Sequence, residues 1–194
     1  MTKRILLFGV ILSLMMACSP AAEEEKKDVE DSTTLSGNEK KFFDNLSSLC
    51  GNKYEGEEIF TAEGRESFAD KNMTIHFASC TDDKIRIPFY IGDDESRTWL
   101  LLVEDGQLRF RHDHRHEDGT PEDITMYGGF SDQRGTEFTQ FFPPDDYTLD
   151  LLERAPGHEW VLSLTEEMDT LCYCLQSEEE LVFKAKFYLD KKLN

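Results

Sequence analysis

Asp105-Gly106 lies at the centre of the stretch that decides the fold, Trp99-Leu100-Leu101-Leu102-Val103-Glu104-Asp105-Gly106-Gln107-Leu108-Arg109-Phe110-Arg111-His112. Asp-Gly is typical of the two-residue type I′ turn of a β-hairpin, because both turn residues need positive φ. Side chains alternate between the two faces of a strand. The turn therefore places these cross-strand pairs on one face: Val103 with Leu108, Leu101 with Phe110, and Trp99 with His112. Their apolar members mark that face as the interior, whereas Arg109 and Arg111 point outward.

Outward from this hairpin the apolar residues keep a period of two, and clusters of Gly, Asp, Asn or Pro separate the segments. The predicted strands are Lys53–Phe60, Met73–Ser79, Lys84–Ile91, Trp99–Glu104, Gln107–Asp113, Asp123–Gly129, Thr136–Phe142, Glu159–Thr165, Leu171–Gln176 and Leu181–Leu189. Short strands at near-regular spacing are typical of antiparallel barrels and sandwiches. The sequence therefore predicts an all-β fold built as an antiparallel meander of about ten strands.

Two helices accompany the predicted strands. Ser36 and Glu39 have the spacing of a capping box, and Gly51 ends the helical pattern that follows them. The apolar residues of that pattern recur at helical spacing and are Phe42, Phe43, Leu46 and Leu49. A second, short helix is expected near residues 147–153. We therefore expect one amphipathic helix where the chain enters the domain and a short one late in the sheet.

The first 18 residues have the zones of an export signal. Lys3 and Arg4 precede an apolar run from Ile5 to Met16, which is too short to span a bilayer. The following Ala17-Cys18 resembles the end of a bacterial lipoprotein signal, in which cleavage precedes the cysteine and a lipid is attached to it. This resemblance implies that Cys18 carries a lipid anchor and that the bilayer is a partner of the protein.

Three regions follow from this pattern. Residues 1–17 form the predicted signal peptide, residues 18–37 the lipidated cysteine with a disordered acidic tether, and residues 38–194 a single β-barrel domain. Ser19 after the lipidated cysteine favours the outer membrane in lipoproteins of this type, so we expect an anchor there, with the domain facing the periplasm or the cell surface. The formal net charge of −19 predicts that the protein does not bind nucleic acid.

Two further resemblances concern the folded domain. The predicted helix followed by Gly51-Asn52-Lys53-Tyr54 and a strand meander resembles the opening of a calycin-type barrel, the shape of lipocalins and fatty-acid-binding proteins. The domain also resembles a group of uncharacterised bacterial lipoproteins or secreted proteins through these motifs: Phe43-x-x-Leu46-x-x-Leu49-Cys50-Gly51, Ile85-Arg86-Ile87-Pro88-Phe89, Ser96-Arg97-Thr98-Trp99, His112-Asp113-His114-Arg115-His116-Glu117-Asp118-Gly119, and Met126-Tyr127-Gly128-Gly129. The first resemblance implies a barrel, and the second implies no particular functional residue.

The histidine run from His112 to Gly119 contains three of the five histidines of the chain. On an extended strand His112, His114 and His116 would share one face, and the hairpin register pairs Arg97 with His114. A tight turn at Asp118-Gly119 would then place Asp123 opposite His114, Thr125 opposite His112 and Tyr127 opposite Phe110. The predicted interior cluster is therefore Arg97, His112, His114, Asp123, Thr125 and Tyr127. A register slip of one residue would move these partners to the other face.

Three interpretations of this cluster remain open. The barrel holds a small or apolar ligand and the cluster binds its polar end. Alternatively, His112, His114 and His116 bind zinc or copper, with an open coordination position for hydrolysis. In the third interpretation, the protein is a structural envelope protein without a ligand, and the histidines belong to a structural polar network. Because the sequence contains no serine nucleophile elbow, phosphate loop or H-E-x-x-H motif, we assign no catalytic residue and favour a protein that is not an enzyme.

Four cysteines remain after Cys18. Because an exported protein meets an oxidising environment, we expect a disulfide between Cys50, at the helix end, and Cys80, at a strand end. Cys172 and Cys174 are predicted to be small core-facing residues, and a redox or metal-binding role for this Cys-x-Cys pair is the alternative. The hairpin register also predicts that His112 is buried and, unless Asp123 pairs with it, neutral, because burial disfavours the charged imidazole.

Overall fold

The computed structural model describes residues 34, 35 and 37–193. The predicted signal peptide, Cys18 and most of the predicted tether lie outside these residues. The elements are α1 (Gly37–Ser47), β1 (Lys53–Thr61), β2 (Met73–His76), β3 (Ser79–Cys80), β4 (Lys84–Ile91), β5 (Asp94–Glu104), β6 (Gln107–His114), β7 (Tyr127–Phe130), β8 (Thr139–Phe142), α2 (Asp146–Leu151), β9 (His158–Leu164), β10 (Thr170–Ser177) and β11 (Glu180–Leu193). Within the described part of the chain, no helix is long and apolar enough to cross a membrane.

The strands form one antiparallel sheet in the order β7-β6-β5-β4-β2-β1-β11-β10-β9-β8, with β3 paired to β4. This sheet curls into a nearly closed barrel, which confirms the predicted all-β class. The single predicted strand Met73–Ser79 is divided between β2 and β3, because Phe77 exchanges backbone hydrogen bonds with Gly51 and Asn52 instead of with a sheet neighbour. β2 therefore ends at His76, where the segment that follows α1 takes over the backbone hydrogen bonds of the next residue.

The central hairpin has the predicted register. Asp105 and Gly106 have φ values of 51° and 73°, which is the positive φ that a type I′ turn requires. Trp99 pairs with His112 and Arg97 with His114. Trp99, Leu101, Leu108 and Phe110 are almost fully buried and form part of the barrel core. The two histidines therefore leave the interior face of β6, as expected.

A seam between β7 and β8 closes the barrel. The backbone N–H of Asp145 donates to the carbonyl of Gly128 at 3.1 Å, and the N–H of Asp132 donates to the carbonyl of Phe141 at 3.1 Å. A Cβ atom on Gly129 would lie 1.8 Å from a backbone carbonyl oxygen of the opposite side. The two edges can approach this closely because that position lacks a side chain.

The outward arginines of β6 bind the start of α2. Asp145 is the N-cap of α2, and its carboxylate accepts hydrogen bonds from Arg109 at 2.6 Å and from Arg111 at 2.5 Å. Arg111 is only 4% exposed. Both arginines leave the outer face of β6, as predicted, but α2 and its cap cover Arg111. The ion pair therefore holds α2 across the seam.

The helix α1 covers the barrel end that carries the Asp105-Gly106 turn. Phe42, Phe43 and Leu46 of α1 are buried in the barrel core. The Glu39 carboxylate accepts hydrogen bonds from the Ser131 hydroxyl and from the Leu108 backbone N–H. The predicted helix is confirmed, but Glu39 contacts the sheet, and its expected capping partner Ser36 lies outside the described residues.

The Cys50–Cys80 disulfide joins the end of α1 to the sheet, as predicted. The two Cα atoms are 6.1 Å apart and the residues are 30 positions apart in sequence. A cross-link over that separation restricts the unfolded chain and so stabilises the folded one. The helix at this end of the barrel is therefore held covalently as well as by packing.

Candidate functional site

A cavity of about 140 Å³ occupies the interior of the barrel at the end away from α1. Its walls come from β4, β5, β6, β7, β10, β11 and the connection over residues 62–72. The lining residues are Phe68, Phe89, Ile91, Arg97, Trp99, His112, His114, Tyr127, Tyr173, Leu175 and Phe183. Trp99, Phe89 and His112 are buried, whereas Phe68, Arg97 and His114 are half-buried. The cavity therefore has a buried floor and a partly exposed rim.

His112 forms the polar part of the floor. Its Nδ1 lies 3.3 Å from the Tyr127 carbonyl oxygen and its Nε2 lies 2.9 Å from the Tyr173 hydroxyl. A carbonyl oxygen can only accept, so Nδ1 carries the proton and Nε2 accepts from the hydroxyl. Burial lowers the pKa of His112 to about 3, and nearby His114 acts in the same direction. His112 is therefore neutral near pH 7, as the sequence predicted.

His114 and Tyr127 form the next layer towards the rim. The Tyr127 hydroxyl is 3.1 Å from the His114 Nε2. Burial lowers the pKa of His114, and the positive charge of Arg97 lowers it further. Burial raises the pKa of Tyr127 to about 12. The Tyr127 ring also stacks on His112, with centroids 4.6 Å apart. The His114 and Tyr127 side chains are therefore both uncharged near pH 7, and a hydrogen bond joins them.

Arg97 places a positive charge at the rim, beside Asp94. The guanidinium donates to the Asp94 carboxylate and lies 5.8 Å from the centre of the Phe68 ring. Although burial alone would raise the pKa of Asp94, hydrogen bonds from Ser96 and Arg97 lower it to about 2. Asp94 is therefore ionised and offsets much of the arginine charge. A guanidinium has five N–H donors, so Arg97 retains donors for a further group.

Aromatic rings form the apolar walls. Trp99 stacks on Tyr173 with centroids 4.7 Å apart, and Phe89 lies 4.8 Å from Trp99. On the other side Phe68 meets the edge of Phe183 at 6.2 Å. The Phe68 backbone N–H donates to the Glu58 carboxylate at 2.5 Å, which fixes the connection over residues 62–72 against β1. The cavity therefore combines flat apolar walls with a polar side.

No protein-family model matches this chain, and no curated protein matches it either. The assignment of the site therefore depends on its own geometry.

The structure brings Arg97, His112, His114 and Tyr127 together, as predicted, but it places Asp123 and Thr125 elsewhere. Asp123 is exposed in the connection before β7. The buried Thr125 hydroxyl accepts from the His114 backbone N–H at 2.7 Å and is 3.3 Å from an Asp113 carboxylate oxygen, so it supports β6 from outside the cavity. The predicted positions of both residues in the cluster were therefore wrong.

The reason is the shape of the connection between β6 and β7. Arg115 forms a single bridge with Pro121, and a turn closes between His116 and Thr120. The chain then takes extra residues before β7 begins, and Tyr127 pairs with His112 instead of the predicted Phe110. This difference of two residues keeps Tyr127 on the interior face, because side chains alternate with period two.

The predicted metal set His112, His114 and His116 is not assembled. His116 is exposed and lines a separate groove with Asp93 and Glu95. The other two histidines are hydrogen-bonded to tyrosine hydroxyls. Across residues 34, 35 and 37–193, no group of three or more His, Cys, Asp or Glu side chains is placed to hold a metal ion. The structure therefore gives no support for a zinc or copper site at this run.

The cavity wall that lies across the barrel from the central hairpin was not predicted from the sequence. Tyr173, Leu175 and Phe183 line the cavity from β10 and β11. Leu171, Tyr173 and Leu175 share the interior face of β10, whereas the two cysteines between them were predicted from the sequence to lie on that face. Nothing in the alternation indicates which strand this face opposes. The same alternation shows that the core-facing prediction for the cysteines was wrong. Cys172 and Cys174 are half-buried on the outer face.

Proposed function

We propose that this chain is a lipid-anchored binding module whose barrel holds one small ligand with an apolar body and a polar end. The observation that carries the proposal is the cavity in which stacked aromatic walls meet Arg97, His114 and Tyr127 on one side. Binding sites for small molecules are typically apolar concavities with a few convergent polar groups. Small β-barrels have room for one such ligand.

The cavity volume limits the size of the ligand. About 140 Å³ lies well below the ~300–1,000 Å³ of pockets for drug-sized molecules. It is close to the roughly 150 Å³ of an engineered cavity that accepts benzene. The part of the ligand inside the barrel is therefore about one ring, or a short branched chain, in size. The half-exposed rim leaves room for a polar end to reach solvent.

The polar side favours a ligand that accepts hydrogen bonds. Arg97 has N–H donors beyond the contact with Asp94, and neutral His114 has a second ring nitrogen beside the one that contacts Tyr127. A carbonyl or carboxylate end would find donors here. A cationic end would meet the Arg97 guanidinium, and the carboxylate beside it at the rim, Asp94, already accepts from that guanidinium. We therefore propose an uncharged carbonyl compound or a small carboxylate as the ligand class.

The proposed anchor is a lipid on Cys18 in the outer membrane, followed by the acidic tether of residues 18–37. Support for it comes from the Lys3-Arg4, apolar and Ala17-Cys18 zones of the sequence. The described domain begins with α1, which covers the barrel end opposite the cavity rim. The tether would therefore join the covered end, and the rim would stay accessible.

Ligand titration followed by tryptophan fluorescence tests the binding proposal. The chain has two tryptophans, and both report on this region: Trp99 lines the cavity and Trp160 packs on His112 and Tyr127. Benzoate, benzamide and benzylamine are matched probes of one ring. We expect saturable fluorescence changes with benzoate or benzamide and none with benzylamine. Native mass spectrometry of protein from cells should show a small co-purified molecule.

Two arginine variants make this test specific. Arg97→Gln should weaken binding of the accepting probe about 10-fold or more, because a hydrogen bond from a charged group contributes roughly 1.5–3 kcal/mol. Arg86→Gln makes the same charge change on the exposed face of β4 and should bind like the native protein. Absence of saturable binding for every probe, with no co-purified molecule, would leave the structural-protein interpretation instead.

A further inference from the structure

Cys172 and Cys174 form a pair of thiols on the outer face of β10. Their neighbours Leu171 and Tyr173 are buried inside the barrel, so the alternation of the strand directs both cysteines outward. Both are free and half-buried. This pair lies outside the cavity and has no part in the proposed ligand site.

The spacing of the two thiols suits a bridging ion better than a disulfide. Residues i and i+2 of a strand have Cα atoms about 6.6–6.8 Å apart. That is the upper end of the ~4.4–6.8 Å range over which a disulfide forms. Two metal–thiolate bonds in line, each about as long as a zinc–sulfur bond (~2.3 Å), would instead span roughly 4.6 Å between the sulfurs. Side chains that lean towards each other can reach that separation without a change in the backbone.

The neighbouring strands decide which ion fits. On β11, Lys186 is directly opposite Cys172 and Lys184 is directly opposite Cys174. On β9 the opposite residues are Ser163 and Val161. No third His, Cys, Asp or Glu joins the pair in a metal-binding group within the described chain. Zinc takes four protein ligands in structural sites, so it is poorly matched to a pair.

We propose that Cys172 and Cys174 form a two-coordinate site for Cu(I), a soft cation that thiolates select. Binding converts two thiols and one Cu(I) into a bis-thiolate complex and releases two protons, and no electron is transferred. The complex carries one negative charge. Lys184 and Lys186, each a direct cross-strand neighbour of one ligand, offset this charge.

Competition with the Cu(I) chelator bicinchoninate tests the proposal. The full chain carries Cys18→Ala, so that the free thiols are those of Cys172 and Cys174, and it is handled without oxygen. We expect one Cu(I) per chain and an X-ray absorption spectrum with two sulfur ligands. Cys172→Ser and Cys174→Ser should each weaken binding at least 100-fold. Because both side chains point outward, circular dichroism should show these variants folded.

Matched variants separate this site from others. His116→Ala removes the exposed histidine of the turn and should bind Cu(I) like the parent chain. Lys184→Met with Lys186→Met should bind more weakly, because the charge of the complex is no longer offset. Equal copper binding by the serine variants, nitrogen ligands in the absorption spectrum, or a Cys172–Cys174 disulfide in the isolated protein would each overturn the proposal.

Discussion

The burial of His112 makes a quantitative prediction about the pH dependence of folding. In the unfolded chain a histidine has a pKa of about 6.5. In the folded protein burial lowers the pKa of His112 to about 3. Between these values the unfolded state binds a proton that the native state does not. The stability contributed by neutral His112 is therefore fully present above pH 6.5 and is lost as the pH falls.

The magnitude follows from the size of this window. One proton difference changes the free energy of unfolding by about 1.36 kcal/mol per pH unit. From pH 6.5 to pH 5, protonation linked to His112 alone should therefore lower the free energy of unfolding by roughly 2 kcal/mol. Urea unfolding followed by tryptophan fluorescence at half-unit steps of pH measures this slope. In His112→Gln the slope between pH 6.5 and 5 should be smaller by up to about 1.36 kcal/mol per pH unit.

Comparing slopes removes two complications. His112→Gln will change the absolute free energy of unfolding, because the Tyr173 hydroxyl and the Tyr127 carbonyl lose their usual partner, but this offset does not depend on the titration. Burial also lowers the pKa of His114 and His158, and both contribute similarly to the native chain and the variant. His116→Gln is the matched exposed control. An unchanged slope in His112→Gln would show that His112 is not buried in its neutral form.

Three further predictions concern the rest of the chain. Replacing Cys50 and Cys80 with serine should lower the free energy of unfolding by about 3–4 kcal/mol for the separation of 30 residues, and an unchanged urea midpoint would contradict this. Gly129→Ala should disrupt the barrel, because its Cβ would lie 1.8 Å from a carbonyl oxygen, whereas Gly64→Ala, with open space around its Cβ, should cost only about 1–2 kcal/mol by the same unfolding measurement. Cys18→Ala should abolish palmitate labelling and membrane fractionation, and a variant still found in membranes would remove the proposed anchor.

The sequence predicted those parts of the site that depend on local turn chemistry. Asp105-Gly106 strongly favours the two-residue type I′ turn, so the register from Arg97 to His114 followed from it. The pairing of the connection after His114 could not be predicted in this way. Asp118-Gly119 does lie in a turn, but the residues between Glu122 and Tyr127 leave the ladder. No local pattern in that segment fixes how many residues remain unpaired, and Asp123 was misplaced for this reason.

The walls across the barrel depend on long-range pairing. Tyr173 reaches His112 from a strand 61 residues away in sequence. Period-two alternation marks which side chains of β10 face inward, but not which of the other strands they meet. The orientation of Cys172 and Cys174 was predicted wrongly because small apolar side chains were assumed to be buried. Tyr173 between them is larger and has more apolar area, and it occupies the interior instead. On one strand neighbouring residues cannot both face inward.

Strand β6 contributes both to the seam that closes the barrel and to the wall of the cavity. On its outer face, β6 uses Arg111 to hold Asp145 at the start of α2, and Thr148 of α2 bonds both the N–H and the carbonyl of Gly128. Gly128 directly follows Tyr127, whose ring stacks on His112 on the inner face of β6. The contacts that close the barrel from outside therefore also fix the position of a cavity-lining ring inside. The side chains that line the cavity are set by rigid strands, so the proposed ligand would enter a largely preformed site.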